Sequence, residues 1–287
     1  IHQNMLKTTR LTRELAALLP SPMNIPFDEL PRPTEDMTQL KKDLFRCGYC
    51  YIKNGLDKKI LEQLKTRLRE QMEGELEAGI ATKDGLTYMG NRVHENFTPR
   101  EEDQPNQKVF MLINKGECFR SLVTLKKPTE LVNALLHPKW LLGSLWANVA
   151  RPGNDPMALH CDQAGNTIRY STREAVMNNG GKTPEGYGGA DSYAPQLFER
   201  WPSPPYTLHG LLSAINDVPL PPTIPPPIYC QVVYCLTDVT AERGGTCIVP
   251  GSHLSGIFPP LSMEFTKTFP TLNFDCPAGT IIVFDGR

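Results

Sequence analysis

The sequence predicts a mainly β chain with α-helical additions: an antiparallel β-barrel or sandwich wrapped by N-terminal helices. Three observations carry this expectation. Apolar residues recur at helical spacing through much of the first half, and from "SLWANVARPG" (144–153) onward the pattern changes to short β-rich runs broken by Gly and Pro. A long excursion, residues 164–227, then opens inside the β-rich half. Structureless segments of that length inside a domain are usually functional lids or disordered.

Residues 1–43 read as a polar, Pro-containing leader and residues 44–287 as one domain, with a helical N-terminal part (44–142). "LFRCGYCYIKNGL" (44–56) reads as a strand closed by its Asn-Gly pair. In "DKKILEQLKTRLREQMEGELEAG" (57–79), Leu61, Leu64, Leu68, Met72 and Leu76 fall on one helical face, charges occupy the other, and Gly79 is a stop. Residues 82–109 are polar and irregular. Two further helices are predicted over 108–125 and 128–146, the latter with a turn at His137-Pro138. The β-rich runs are "MALHCD" (157–162), "IYCQVVYCLTDV" (228–239), "GGTCIVPGSH" (244–253), "LNFDC" (272–276) and "GTIIVFD" (279–285). The excursion reads as a lid, because Tyr170, Tyr187, Tyr193, Phe198, Trp201 and Tyr206 give it apolar surface to dock.

Lys and Arg total 30 against 31 Asp and Glu, a net charge of −1, which provides no general attraction for nucleic acid or an anionic membrane. No apolar run approaches the roughly 20 residues that span a bilayer, and the N-terminal stretch lacks the pattern of a secretory signal. The expected partners are a small-molecule substrate, with no nucleic acid and no membrane insertion; a homodimer stays an open option. A cytoplasmic location is expected. The eight cysteines are scattered through apolar runs and read as free thiols. Both ends read as cut, since no initiator Met stands at the start and "VFDGR" closes directly on a strand-like run.

On a strand, alternate side chains share a face, so "LHCD" directs His160 and Asp162 to one point and Cys161 away from it. One imidazole and one carboxylate suit a divalent first-row metal, and two His with one carboxylate form the facial set of non-haem Fe(II) oxygenases. The same spacing also fits a histidine simply paired with a carboxylate at a strand end.

Wider context distinguishes these readings. "ARPGNDPMALHCDQ" (150–163), "YCLTDVTAERGGTCIVPGSH" (234–253) and "CPAGTIIVFDGR" (276–287), with "CGYCYIKNGLDKKILEQLKTRL" (47–68) upstream, together resemble the phytanoyl-CoA dioxygenase-like family of Fe(II)- and 2-oxoglutarate-dependent oxygenases. The resemblance runs from about residue 44 to the end, with the excursion least matched. It implies a double-stranded β-helix, or jelly roll, in which His160 and Asp162 are the first two iron ligands. It also implies a second histidine just past "GTIIVFDGR" and, beyond that, an arginine for the distal carboxylate of 2-oxoglutarate. Both are expected after Arg287. Thr246, following Gly244-Gly245, and Asn114 are the implied cosubstrate contacts. Met157 stands where relatives often carry a glutamine, which shifts that contact to Gln163 or Gln231. The implied cofactors are Fe(II), 2-oxoglutarate and molecular oxygen. The implied reaction oxidises a C–H bond of a small, largely apolar molecule such as a secondary metabolite. Hydroxylation is the default outcome, with desaturation or rearrangement as other fates.

Two other classes stay open: a non-catalytic jelly-roll relative acting as a binding or partner subunit, and a zinc hydrolase or cupin-like fold. "CGYC" (47–50) has dithiol spacing but lies in a strand-like run, not at a helix N-terminus, so a core role is expected. The glycines of "NNGG" and "GYGG" lack the strand and Lys-Ser/Thr step of a phosphate loop. His253 in "PGSH" reads as a loop residue and not a ligand, and His209 falls within the excursion.

Overall fold

The computed structural model describes residues 9–84, 106–152, 157–165, 226–255, 259 and 263–287. Its centre is a three-stranded antiparallel sheet in which β8 (Ile281–Asp285) lies between β1 (Tyr49–Ile52) and β5 (Cys230–Tyr234). Side chains alternate cleanly across it. Tyr49, Tyr51, Ile282, Phe284 and Val233 face one core, while Cys50, Ile52, Ile281, Val283 and Val232 face the other. A strand covered on both faces needs an apolar residue at every position, which is why "IIVF" is continuous and not alternating.

The second of these cores is helical. α2 (Met37–Cys47), α3 (Lys58–Glu77) and α5 (Lys126–Leu136) bury Leu40, Leu44, Leu64 and Leu131 at 0% exposure against the sheet. Full burial of each such side chain contributes about 1.5–3 kcal/mol. Asp36 and Asp57 cap α2 and α3, accepting from the amides of Thr38 and Ile60. α5 ends at His137, which precedes Pro138 and has φ 73°. The short α4 (Glu117–Arg120) adds Phe119 to this core.

The first core is closed by shorter pieces. The paired β6 (Cys247–Ile248) and β7 (Leu272–Asn273), the helix α6 (Met263–Thr268), and the segment before α2 supply Ile248, Leu272, Phe265, Phe274, Leu11 and Leu19. That segment includes α1 (Arg13–Leu18), and its Leu11, Ala16, Leu19, Met23, Ile25 and Leu30 are packed into the core. A separate sheet, β2 (Thr82–Asp84), β3 (Asn106–Val109) and β4 (Ala147–Val149), is also antiparallel.

The expectation of a mainly β chain gives way to a mixed α/β one with antiparallel sheets, because helix outweighs strand among the described residues. Residues 44–47 finish α2 and are not strand; the strand begins after Gly48 turns the chain at φ 84°. The helix expected over 108–125 is broken into the end of β3, two 3-10 turns and α4, since Met111 (φ 55°) and Gly116 (φ 147°) interrupt it. The helix expected over 128–146 stops at Leu136. The lid aromatics and His209 lie outside the described residues.

Gly48 is demanding for two reasons. Its left-handed backbone disfavours any Cβ, and a Cβ there would meet His253 Nδ1 at 2.6 Å. Gly48→Ala is expected to lower the unfolding free energy by about 2–5 kcal/mol, combining the backbone cost with overpacking. Urea titration followed by circular dichroism measures it, and a loss below 1 kcal/mol, about the net worth of a single hydrogen bond, would mean that His253 yields freely.

Candidate metal site

The stretch "MALHCD" is not a strand: 157–161 carry no regular structure, and Asp162–Gly165 form a 3-10 turn. The expected convergence occurs all the same. His160 Nε2 stands 3.1 Å from Asp162 Oδ1, with the side chains 39% and 23% exposed, open enough for a ligand to reach both. The pair is suspended between two anchors. On one side Leu159 packs into the first core and donates its amide to Thr266 Oγ1 at 2.8 Å. On the other, the Gln163 amide donates to Gly286 O at 2.7 Å, just past β8.

The imidazole is oriented by its remote nitrogen. Nδ1 lies 2.7 Å from the carbonyl of Ala158. A carbonyl only accepts, so Nδ1 carries a proton and Nε2 is the nitrogen that faces Asp162. The hydrogen bond to Asp162 raises the His160 pKa above the ordinary histidine value, against the opposing effect of burial. With Nδ1 protonated, the Nε2 lone pair and Asp162 Oδ1 face one another, so the tautomer is already set for coordination of a cation by one nitrogen and one carboxylate oxygen. The donor set therefore fits a divalent metal. Among the described residues no cluster of three or more His, Cys, Asp or Glu side chains forms a fuller metal site.

The wall beside the pair was not anticipated in full. Tyr229 lies near enough for the Asp162 charge to raise its pKa, after the larger effect of burial. Its ring sits over Gly286, where a Cβ would meet Cδ1 at 2.7 Å, and its hydroxyl accepts from Gln231 Nε2 at 3.4 Å. The spacing of Tyr229 and Gln231 on a predicted strand marks them as sharing a face, but nothing in the sequence says that the face looks toward Asp162.

The other predicted residues are dispersed. Gln163 is 1% exposed, with Nε2 donating to Pro226 O and Oε1 accepting from Ile228 N, both at 2.9 Å. Thr246 is exposed just before β6, and its carbonyl accepts from Phe274 N at 2.9 Å. Asn114 is exposed at the end of the 3-10 turn Leu112–Asn114, whose Leu112 packs into the helical core across the sheet from Leu159. Contact is thus made between His160 and Asp162, while Asn114 belongs to the opposite layer.

His253 is 4% exposed, and its Nε2 donates to Phe45 O at 3.0 Å while Nδ1 is buried without a partner. It locks the "PGSH" loop onto the end of α2, helped by Gly251 N donating to Cys47 O at 2.9 Å. Arg287 is engaged with the buried Asp285 through Nε at 3.0 Å and Nη2 at 2.6 Å. None of the eight cysteines is in a disulfide, and burial pushes the Cys47 thiol up to about 12, so "CGYC" is inert core.

Burial holds the His253 pKa below the ordinary value despite the Phe45 bond. Its contribution to stability is therefore complete above about pH 6.5, and is lost as pH falls through the lowered folded value, with a slope of at most about 1.4 kcal/mol per pH unit. His160, shifted upward, acts in the opposite sense and loses its contribution as pH rises. The expected result is a urea midpoint that drops more between pH 7.5 and 5.5 (on either side of the ordinary value of about 6.5) for the parent than for His253→Gln. Parallel profiles would show that His253 titrates alike folded and unfolded.

The half-buried His160–Asp162 pair beside the end of an antiparallel sheet presents one nitrogen and one carboxylate oxygen donor of the kind that mononuclear metal sites use. The phytanoyl-CoA dioxygenase (PhyH) family model matches residues 214–287, so the C-terminal part of the chain carries the resemblance that the motifs suggested. Dioxygenase af480 of Aspergillus fumigatus is 27% identical over 194 residues, 67% of this chain. The aligned part spans less than half, 44%, of that curated relative. The epimerase SnoN, solved with Fe3+, alpha ketoglutarate and nogalamycin RO, superposes with a TM-score of 0.49 at 16% identity, covering 88% of this chain and 74% of that one. Among the described residues no helix is long and apolar enough to cross a membrane.

Proposed function

We propose that the chain is the catalytic part of an Fe(II)- and 2-oxoglutarate-dependent dioxygenase that oxidises a small, largely apolar molecule, by hydroxylation in the default case. The observation that carries this reading is His160, tautomerically fixed by Ala158 O, with Nε2 directed at Asp162 Oδ1. The PhyH match over 214–287 and a relative named as a dioxygenase support it. On this reading β1, β5, β8 and the β6–β7 pair are parts of a jelly roll.

Bound by His160 and Asp162, the metal would supply, with 2-oxoglutarate and oxygen, the oxidising power for attack on a C–H bond. The chain's own part is positional. His160 Nε2 and Asp162 Oδ1 are two donors on one side, leaving the other positions to cosubstrate and oxygen. β8 brings the chain close to the pair, since Gly286 O accepts from Gln163 N. Tyr229, close to Asp162, and Gln231, which donates to the Tyr229 hydroxyl, form a polar wall, and Thr246 is the proposed cosubstrate contact.

The test is anaerobic binding of Fe(II) and 2-oxoglutarate, followed by succinate measurement when oxygen is admitted, for the parent and His160→Ala. Binding and succinate in the parent alone are expected. Failure of the parent to bind iron would instead favour a non-catalytic relative acting as a binding or partner subunit.

A further inference from the structure

The pair is held in register without a strand, and that requires some other constraint on Asp162. Resting on the metal reading above, we infer that Gln163 is a positioning residue: its buried carboxamide and its backbone amide together fix the Asp162 carboxylate against the end of β8 and the entry to β5.

Burying an amide is costly unless both its ends are bonded. Gln163 meets this condition in a particular way. Its Nε2 donates to Pro226 O and its Oε1 accepts from Ile228 N, at 2.9 Å each. A carbonyl and an amide two residues apart on one edge are what a neighbouring strand ordinarily pairs with. The side chain thus stands in for a strand's peptide group. The backbone amide of the same residue donates to Gly286 O, and Gly286 N donates to Tyr229 O at 3.0 Å. Asp162 is one bond away from this lattice, at the first position of the 3-10 turn.

Leu159 anchors the other end of the motif on Thr266 Oγ1. Between the two anchors lie only His160, Cys161 and Asp162, so freeing Gln163 lets the carboxylate swing while leaving the imidazole tethered through Ala158 O. A metal bridging the two donors should in turn tighten the Gln163 contacts, and protection of the Ile228 amide then reports occupancy of the site.

The test titrates Mn(II) into the parent, Gln163→Leu, Gln163→Glu and His160→Ala chains, and follows Ile228 amide exchange with and without Mn(II). Gln163→Leu removes both side-chain bonds and is expected to weaken Mn(II) binding about 10–100-fold, the range for groups that orient metal ligands. Gln163→Glu, nearly isosteric, keeps the acceptor for Ile228 N but loses the donor to Pro226 O, and should give a smaller loss. It also keeps the test decisive if the leucine variant misfolds. Mn(II) should slow Ile228 exchange in the parent and not in His160→Ala. If Mn(II) binds the parent in a His160-dependent manner but binds both Gln163 variants equally well, the positioning role is overturned and the metal reading stands. If the parent shows no His160-dependent binding, the metal reading falls and takes this inference with it.

Discussion

Asp162→Ala is expected to keep the fold and to lose Mn(II) or Fe(II) affinity by at least about 100-fold, since even an outer partner of a metal ligand is worth 10–100-fold. The side chain is 23% exposed and bonded to His160, so its removal opens no core cavity. What disappears is one of two donors, together with the charge that raises the His160 pKa. Mn(II) titration read by electron paramagnetic resonance, with circular dichroism as the check on folding, measures both parts. An unchanged dissociation constant in a folded variant would exclude Asp162 as a ligand.

The largest effect on stability is expected at Phe274. It is 1% exposed and its ring packs on Tyr49 at 5.5 Å, Tyr51 at 5.8 Å and Phe284 at 6.0 Å between centroids. Phe274→Ala removes the ring from the middle of that cluster and should cost about 3–5 kcal/mol. Phe274→Leu, which refills most of the volume, should recover more than half of it. Equilibrium urea unfolding gives the difference, and a loss under 2 kcal/mol, below the usual range for such truncations, would show that the aromatic cluster collapses into the space.

The elements legible in the sequence were those whose partners are implied by periodicity. The apolar spacing of Leu61, Leu64 and Leu68 predicts α3, and these residues are buried. The turn expected at His137-Pro138 is present, although α5 does not resume after it, and four of the five β-rich runs contain strands at β5, β6, β7 and β8. α2 was hidden although its signals were present: Asp36 caps it, Leu40, Leu44 and Cys47 form its stripe, and Gly48 closes it. Its last residues run directly into the β-branched and aromatic content of β1, which masked the boundary. His160 and Asp162 converge as the alternation argument predicts, but for another reason. Their placement depends on Thr266, Gly286, Pro226 and Ile228, residues too distant in sequence for any local pattern to connect with "LHCD".

The pairing of Tyr49 with Phe284 and of Gln231 with the same Phe284 has a consequence for biosynthesis. β1 is made well before β8, its hydrogen-bonded neighbour in the sheet. At cellular translation rates of about 5–20 residues per second, β1 waits on the order of ten seconds or more for that neighbour. Throughout that interval Tyr49, Cys50, Tyr51 and Ile52 form an apolar, open-edged segment of the kind that aggregates or engages a chaperone. When β8 is inserted it completes both cores at once and brings Gly286 to Gln163. Closure of the hydrophobic interior and assembly of the His160–Asp162 pair are therefore a single event that waits for β8, and a nascent chain interrupted before Ile281 has neither.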